Sequence, residues 1–215
     1  MKREKIKRMA LLGMLAALSY IVMVLVHIPV VAFLKYEPKD VIITIAGFLC
    51  GPLAGAAISL VVSLLEMVTV SDTELIGCVM NVISTCSFAC IAAAVYKKHR
   101  SQTGALVGLL AGSGAMIVVM LLWNWLLTPL YMGVPRSAVV QMLLPVFLPF
   151  NVLKAGLNSA LTLLIYKPVS RGLRKAKLLP PSGGGGKRSR LFIPLLALAV
   201  VITCILVILS LRGII

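Results

Sequence analysis

The chain has 215 residues, of which 60% are hydrophobic and 13% are charged, with a mean hydropathy of +1.08. Soluble globular domains contain about 25% charged residues, so this composition excludes a soluble domain and predicts a membrane protein with several spans. The net charge of +15 does not indicate nucleic-acid binding, because the basic residues cluster in short segments that flank apolar runs.

The hydrophobic pattern predicts seven helical segments and no sheet. The second is too short to cross a bilayer alone, since a hydrocarbon core of about 30 Å requires roughly 20 residues in a helix. Pro29 is predicted to end the first helix, and Pro52 lies in the first turn of the third. In chain order the predicted segments are 9–28, 41–50, 52–70, 75–96, 103–127, 150–166 and 191–211.

The connections between these segments are mostly polar. The loop 33–40 carries mixed charges, and its Asp40 is predicted to cap the helix that follows. A second loop, 71–74, is predicted on the same side. After a connection at 128–136, segment 138–149 is interrupted by prolines, which predicts a lid or re-entrant piece over the bundle rather than a regular span.

Composition divides the chain into three parts. Residues 1–170 are predicted to form a six-helix substrate-binding membrane domain, 171–190 a basic cytoplasmic linker rich in Pro and Gly, and 191–215 an additional transmembrane helix. The glycine run 183–186 is not a phosphate-binding loop, because Pro181 and Arg188 break the required pattern. No catalytic constellation is apparent in the sequence, so an enzyme is not expected and neither a cofactor nor a metal site is predicted.

Lysine and arginine residues predict the orientation of the chain. With a cytoplasmic N-terminus, segments 2–8, 97–100 and 167–190 place 16 basic residues inside, against four outside. The positive-inside rule therefore predicts that the N-terminus is cytoplasmic. The polar residues of the later spans then lie in the outer half of the bundle.

A polar face on the sixth predicted helix is the main candidate for a binding site. Asn151, Lys154 and Asn158 are spaced three and four residues apart and share one helix face. Ionisable groups inside a span are costly and usually face a partner, a cavity or a ligand. With Glu66 and Asn124 at similar depth, they predict a pocket for a flat heterocycle whose edge carries donors and acceptors.

An alternative remains open at this point. Glu66 and Lys154 could form a buried ion pair that only fixes helix packing, with the Asn residues as interhelical hydrogen-bonding groups. Asn81, Asn158 and His27 are interpreted as packing or interface residues.

Small residues indicate close helix approach. Gly13 and Ala17 on the first helix are four residues apart, which suits either packing within the bundle or contact with a partner. The same spacing recurs at Gly47, Gly51 and Gly55, and at Gly104, Gly108 and Gly112.

Together these motifs resemble the riboflavin-specific substrate-binding (S) components of energy-coupling-factor (ECF) transporters, the RibU type. The resemblance covers about residues 8–170 and lacks a counterpart for 171–215. The residues that carry it are Lys35-Tyr36-Glu37-Pro38-Lys39-Asp40, Gly47-Phe48-Leu49-Cys50-Gly51-Pro52-Leu53-Ala54-Gly55, Ser63-Leu64-Leu65-Glu66, Trp123-Asn124 and Pro149-Phe150-Asn151-Val152-Leu153-Lys154.

The resemblance implies a subunit of a bacterial cell-membrane importer that binds riboflavin near its extracellular face. The residues implied to contact the flavin are Glu66, Asn124, Asn151, Lys154 and Tyr36. It also implies that Gly13 and Ala17 face an ECF transmembrane coupling subunit, which works with two ATPase subunits. An S component for another vitamin, and a structural or assembly membrane protein, are the alternative hypotheses.

Overall fold

The computed structural model describes residues 2–26, 28–31, 34–70, 74–176, 178–179 and 192–211. The elements, in chain order, are α1 (Lys2–Leu25), β1 (Ile28–Val31), β2 (Leu34–Tyr36), α2 (Lys39–Cys50), α3 (Pro52–Thr69), α4 (Glu74–Thr85), a π-helical turn (Cys86–Cys90), α5 (Ile91–Lys98), α6 (Gln102–Met132), α7 (Arg136–Met142), a second π-helical turn (Leu143–Phe147), α8 (Leu148–Lys175) and α9 (Phe192–Leu211).

Within the described residues, five helical segments are long and apolar enough to cross a membrane: Lys5–Leu25, Pro52–Thr69, Leu75–Lys98, Gln102–Leu130 and Arg136–Lys175. The short α2 completes a six-helix bundle, and α9 is a further apolar helix. The chain is therefore an all-α integral membrane protein with one small hairpin. Of the predicted features, His27, the loop residues 71–73 and residues 180–191 of the linker and its boundary lie outside the described residues.

The first helix ends earlier than predicted. α1 stops at Leu25, and Pro29 lies in β1 instead of terminating the helix. β1 and β2 pair antiparallel, with Ile28 opposite Tyr36. The prediction missed this hairpin because its strands have only four and three residues, too few to show an alternating pattern.

The predicted lid or re-entrant segment at 138–149 is wrong. Residues Arg136–Lys175 form one helical span, in which Pro145 lies in the π-helical turn and Pro149 in the first turn of α8. A π-helical turn shifts the backbone hydrogen bonds near both prolines, so a missing proline N–H is tolerated there. The prolines therefore do not break the span.

The connection predicted at 128–136 is also wrong in extent. α6 continues through Pro129 to Met132, and the turn to α7 is formed by Gly133, whose φ of 63° is left-handed. Glycine adopts this conformation without a steric penalty, which allows α6 and α7 to reverse direction in three residues.

The last helix of the bundle is longer than predicted. α8 continues past Pro168 to Lys175, so the first five residues of segment 171–190 are helical.

Close helix packing occurs where glycines recur on α6. A Cβ atom added at Gly108 would lie 2.6 Å from the carbonyl oxygen of Ala92, and one at Gly112 would lie 2.4 Å from that of Phe88. Only glycine permits the backbones to approach this closely. The main apolar core includes this contact of α6 with α5 and the π-helical turn before it, together with buried residues of α1, α2, α3 and α8.

α9 packs against α8. A Cβ atom at Gly156 would meet Cys204 Sγ at 3.5 Å, and Ile208 is buried in the apolar cluster that includes Tyr36 and Leu157. The additional helix thus covers the side of α8 beside the hairpin.

Candidate functional site: a buried polar network beneath the hairpin

The start of α2 places two charged side chains inside the bundle. The hairpin turns the chain back so that Lys39 and Asp40 are only 1% and 0% exposed. The prediction that Asp40 caps α2 is wrong: Pro38 occupies the cap position, and Asp40 lies in the first helical turn with its carboxylate directed to other helices. These residues belong to a buried site and not to a solvated loop.

Asp40 is the centre of one half of the network. Its carboxylate accepts hydrogen bonds from Thr85 Oγ1 at 2.6 Å and from Asn158 Nδ2 at 3.2 Å. Lys154 Nζ lies 3.4 Å from Asp40 Oδ2. Charge-assisted hydrogen bonds of this kind offset the cost of burying a carboxylate. Asp40 therefore joins α2 to α4 and α8.

Glu66 is the centre of the other half. The ammonium group of Lys39 contacts its carboxylate, and Asn81 Nδ2 donates a hydrogen bond to Glu66 Oε1 at 2.8 Å. Lys39 Nζ also lies 2.7 Å from Glu37 Oε2. Lys39 and Asp40 are adjacent in the chain, so the two halves form one continuous network.

Tyr36 connects the hairpin to this network. Its hydroxyl donates a hydrogen bond to Asn158 Oδ1 at 3.0 Å, and the side chain is 3% exposed. Burial, reinforced by the nearby carboxylate of Asp40, raises the pKa of the Tyr36 phenol above its ordinary value. The phenol therefore remains protonated at physiological pH and acts as a hydrogen-bond donor.

Asn124 and Asn151 are also buried, but their amide groups bond to backbone carbonyls instead of to the charged residues of the network. Asn124 Nδ2 donates to the carbonyl oxygen of Met120 at 2.7 Å, and Asn151 Nδ2 donates to that of Phe147 at 2.8 Å. Thr128 Oγ1 donates to Asn124 Oδ1 at 2.9 Å. In this state both carboxamides bond within their own helical spans.

The depth of these two Asn residues follows from a contact between α6 and α8. Ser113 Oγ and Ser159 Oγ lie 3.1 Å apart, and the two helices run in opposite directions because α6 and α7 are joined by a tight turn. Asn124 is 11 residues beyond Ser113, and Asn151 is eight residues before Ser159. At 1.5 Å per residue, they lie roughly 16 and 12 Å from the serine contact, toward the hairpin.

The structure therefore brings together Glu66, Lys154 and Tyr36, and it buries Asn124 and Asn151 on the same side of the serine contact. The Glu66–Lys154 ion pair of the alternative interpretation does not form, because Asp40 is the partner of Lys154 and Lys39 is that of Glu66.

Sequence reasoning missed or set aside six members of the network: Glu37, Lys39, Asp40, Asn81, Thr85 and Asn158. A signal was available for Asn158, which shares a helix face with Asn151 and Lys154. For Asp40, the cap position was the simpler interpretation. Lys39 and Thr85 carry no pattern in the sequence that distinguishes them from loop or helix residues.

An apolar layer closes the network on the hairpin side. The cluster combines buried residues of the hairpin, of α7, of the second π-helical turn, of α8 and of α9: Val30, Leu34, Tyr36, Val139, Phe147, Phe150, Leu153, Leu157 and Ile208. Excluding water strengthens the electrostatic interactions beneath it. The site thus offers carboxylates, ammonium groups, carboxamides and a phenol in a dry setting.

The predicted partner-interface residues lie away from this network. Gly13 and Ala17 are exposed on α1, and a Cβ atom at Gly13 would meet nothing within 4 Å. α1 packs through its other side, where Leu11 and Leu15 are buried in the main core. The small-residue face of α1 is therefore open in the monomer.

Comparison with known proteins gives consistent matches. Residues 7–166 match the family described as "ECF transporter, substrate-specific component". The chain is 29% identical to the riboflavin transporter FmnP of Bacillus subtilis (strain 168) over 75% of its own length and 91% of that protein. It is 28% identical to the riboflavin transporter RibU of Staphylococcus aureus (strain TCH60), covering 79% of this chain and 93% of that one.

A solved structure is also similar. It is described as the S component of a bacterial ECF transporter, and it aligns with a TM-score of 0.67 at 28% sequence identity. The alignment covers 79% of this chain and 99% of the other. Nearly all of the solved chain therefore has a counterpart in this one.

Proposed function

The chain belongs to the substrate-specific components of ECF transporters, and from this we propose that it captures riboflavin from the extracellular side for uptake. Two relatives that it matches over most of their length are riboflavin transporters. In this role the chain acts by binding and conformational change and carries out no chemical reaction, so riboflavin is a transported ligand and no cofactor is required.

The observation that carries the proposal is the buried polar network beneath the hairpin. A bundle can be stabilised more simply by apolar packing, since buried ion pairs contribute little net stability. Five ionisable side chains from the hairpin end, α2, α3 and α8 are nevertheless concentrated there: Glu37, Lys39, Asp40, Glu66 and Lys154. Their concentration favours a ligand site over a purely structural one.

The flavin ring system is a flat heterocycle whose pyrimidine edge carries carbonyl acceptors and an N–H donor. We assign recognition of this edge to Glu66, Asn124, Asn151 and Lys154, with Tyr36 contributing from the hairpin. The carboxamides of Asn124 and Asn151 can each donate and accept in one plane when they rotate away from their own helix carbonyls. Lys154 can exchange its 3.4 Å contact with Asp40 for a carbonyl of the ligand.

Entry to the site is assigned to the hairpin. Tyr36 is tied to α8 by its hydrogen bond to Asn158, and the strands hold only seven residues between them. Short strands with few hydrogen bonds open at low cost compared with a transmembrane helix. Opening of the hairpin exposes the network, and closure excludes water around the bound flavin.

Delivery to the cytoplasm requires partners in this proposal. The open face of α1 around Gly13 and Ala17 is assigned to an ECF transmembrane coupling subunit, which in turn works with two ATPase subunits. Small residues allow two helices to approach closely in lipid, where packing drives association. The excess of basic residues in segments 2–8, 97–100 and 167–190 supports a cytoplasmic N-terminus.

We also assign the three-part organisation on this basis, with 1–170 as the binding bundle, 171–190 as a connecting segment and 191–215 as an additional membrane helix. The unmatched share of the chain in comparison with the solved S component supports this division.

An absorption spectrum of the purified protein tests the ligand assignment. We expect co-purified flavin or, in the flavin-free protein, quenching of flavin fluorescence on titration with riboflavin. A colourless protein that quenches no flavin fluorescence but binds another vitamin would show an S component of different specificity. Absence of binding to any vitamin would favour a structural protein.

A further inference from the structure

A cavity lies at the end of the bundle remote from the hairpin, where α1 begins and α5 ends. Its volume is about 470 Å³. It is lined by Lys7, Arg8, Leu11, Gly47, Phe48, Leu49, Cys50, Gly51, Lys97, Arg100, Leu178 and Leu179. It shares no residue with the polar network under the hairpin.

The cavity is strongly cationic. Among the lining residues that the structure describes, four are basic, Lys7, Arg8, Lys97 and Arg100, and none is acidic. Arg8 donates a hydrogen bond from Nη2 to the carbonyl oxygen of Cys50 at 2.7 Å, which fixes its guanidinium group against the wall. This bond uses one of the five N–H donors of arginine. Such an arrangement suits an anion with several acceptor oxygens.

The remaining lining residues indicate what kind of anion fits. Leucine and phenylalanine side chains, Leu11, Phe48, Leu49, Leu178 and Leu179, form the apolar part of the wall. Leu53, on the first turn of α3 beside Gly51, is 85% exposed. A small soluble phosphate would gain nothing from this apolar surface, whereas a phospholipid presents a phosphate and an acyl chain together.

We propose that this cavity binds the phosphate headgroup of an anionic phospholipid from the membrane leaflet at this end of the bundle. The four basic side chains contact the phosphate, and the apolar wall contacts the upper part of the acyl chains. Basic pockets between transmembrane helices hold anionic headgroups in this way. The bound lipid joins α1, α2 and α5, which supply most of the lining.

Native mass spectrometry of the purified full-length protein with dioleoyl-phosphatidylglycerol, and separately with dioleoyl-phosphatidylcholine, tests the proposal. We expect retention of phosphatidylglycerol and little retention of phosphatidylcholine. The variant R8Q/K97Q/R100Q should lower phosphatidylglycerol retention by about tenfold or more, since each basic group near the headgroup contributes to its binding.

The matched control is K98Q/K167Q/R171Q, which removes three positive charges at the same end without altering the cavity lining. Its lipid retention should change by less than about twofold. Equal losses in the two variants, or unchanged retention in R8Q/K97Q/R100Q, would overturn the proposal. The single variant R100Q, at an exposed position, replaces the triple variant if the latter loses its helical circular dichroism.

A competition experiment separates the lipid from a soluble ligand. Inorganic phosphate and glycerol 3-phosphate are added to the complex with phosphatidylglycerol. We expect no displacement at concentrations equal to that of the lipid. Displacement under those conditions would show that the cavity recognises a free phosphate compound, and the lipid assignment would be wrong. Riboflavin binding is measured in parallel, and its failure would not affect this outcome.

Discussion

The two ends of the bundle differ in the kind of side chain that they bury. Beneath the hairpin, ionisable side chains are buried and paired with one another, as in the contacts of Lys154 with Asp40 and of Lys39 with Glu66. At the remote end, the buried groups are aromatic: Phe48 stacks on Tyr96 with ring centroids 4.4 Å apart, and Tyr96 and Tyr166 share a hydrogen bond of 2.6 Å.

This difference predicts which substitutions affect ligand binding and which affect only the stability of the fold. Aromatic contacts stabilise the bundle beyond their area burial, and charged side chains at that end remain at the surface or in an open cavity. The network beneath the hairpin replaces such packing with groups that are costly to bury. We therefore expect substitutions in the network beneath the hairpin to alter riboflavin binding, whereas those in the apolar and aromatic packing leave riboflavin binding unchanged and alter stability.

The largest effect is expected for Asp40→Asn. The substitution leaves the ammonium group of Lys154 buried without its carboxylate partner and disturbs the hydrogen bonds from Thr85 and Asn158. Loss of one partner of a buried pair costs about 3–5 kcal/mol in the free energy of unfolding. Thermal or denaturant unfolding of the purified protein measures it.

The double variant Asp40→Asn/Lys154→Met provides the control for that measurement. Removal of the unpaired ammonium group should restore much of the lost stability. If the double variant is less stable than Asp40→Asn alone, the two side chains do not act as a pair.

The second effect concerns ligand binding. Lys154→Ala and Asn151→Ala should each weaken riboflavin binding by about tenfold or more, since each removes a hydrogen bond made in a dry site. Flavin fluorescence titration measures the affinity, and circular dichroism follows helical content. Lys167→Ala, on the same helix but remote from the hairpin, should bind riboflavin normally.

Loss of helical content together with binding in either of these variants would assign the residue to packing instead. The two ends of the bundle would then not differ in how their substitutions affect riboflavin binding.

The third prediction concerns packing in the main core. Gly108→Ala places a methyl group 2.6 Å from the carbonyl oxygen of Ala92, which is backbone and cannot rotate away. Overpacking of this kind lowers the free energy of unfolding by about 1–3 kcal/mol. Riboflavin affinity of the folded fraction should be unchanged.

Gly114→Ala is the matched control on the same helix, because a Cβ atom there would meet nothing within 4 Å. It should unfold at or slightly above the temperature of the wild type. Equal destabilisation by both variants would show that the loss does not arise from close approach at Gly108, since helix propensity by itself favours alanine over glycine.

The smallest effect compares two tyrosine hydroxyls, one at each end. Tyr36→Phe removes the hydrogen bond to Asn158, and Tyr166→Phe removes the one to Tyr96. Each should cost about 1 kcal/mol of stability. Only Tyr36→Phe should accelerate riboflavin dissociation, because only the hairpin covers the site; stopped-flow fluorescence measures this rate. Equal dissociation rates in the two variants would contradict the assignment of the hairpin to entry.

Much of the bundle could be predicted from hydrophobicity alone. The helices at 52–70 and 75–96 are confirmed within a few residues, because long apolar runs bounded by polar segments have no alternative in a bilayer. Prolines caused the main errors. Their effect depends on whether neighbouring backbone groups relax around them, as at Pro145, and the sequence does not show this relaxation.

The candidate site was predicted only in part, because the sequence distinguishes some of its residues and not others. Lys154 and Glu66 stand out in the sequence because they interrupt apolar helices, where an ionisable residue is costly. Asp40 and Lys39 lie in a polar stretch, so nothing distinguishes them from loop residues until the hairpin folds them inward.

By itself, the sequence determined that this chain spans a membrane several times, where most of its long helices lie and that Glu66, Asn124, Asn151 and Lys154 interrupt apolar segments. These properties depend on the local balance of apolar and polar groups along the chain. Only the tertiary structure decided which charges pair, because Asp40, Thr85, Lys154 and Asn158 are distant in sequence and meet only when three helices pack together. It also decided that a hairpin with only seven residues in its two strands packs beside the polar network, since such short strands depend on the helices beneath them.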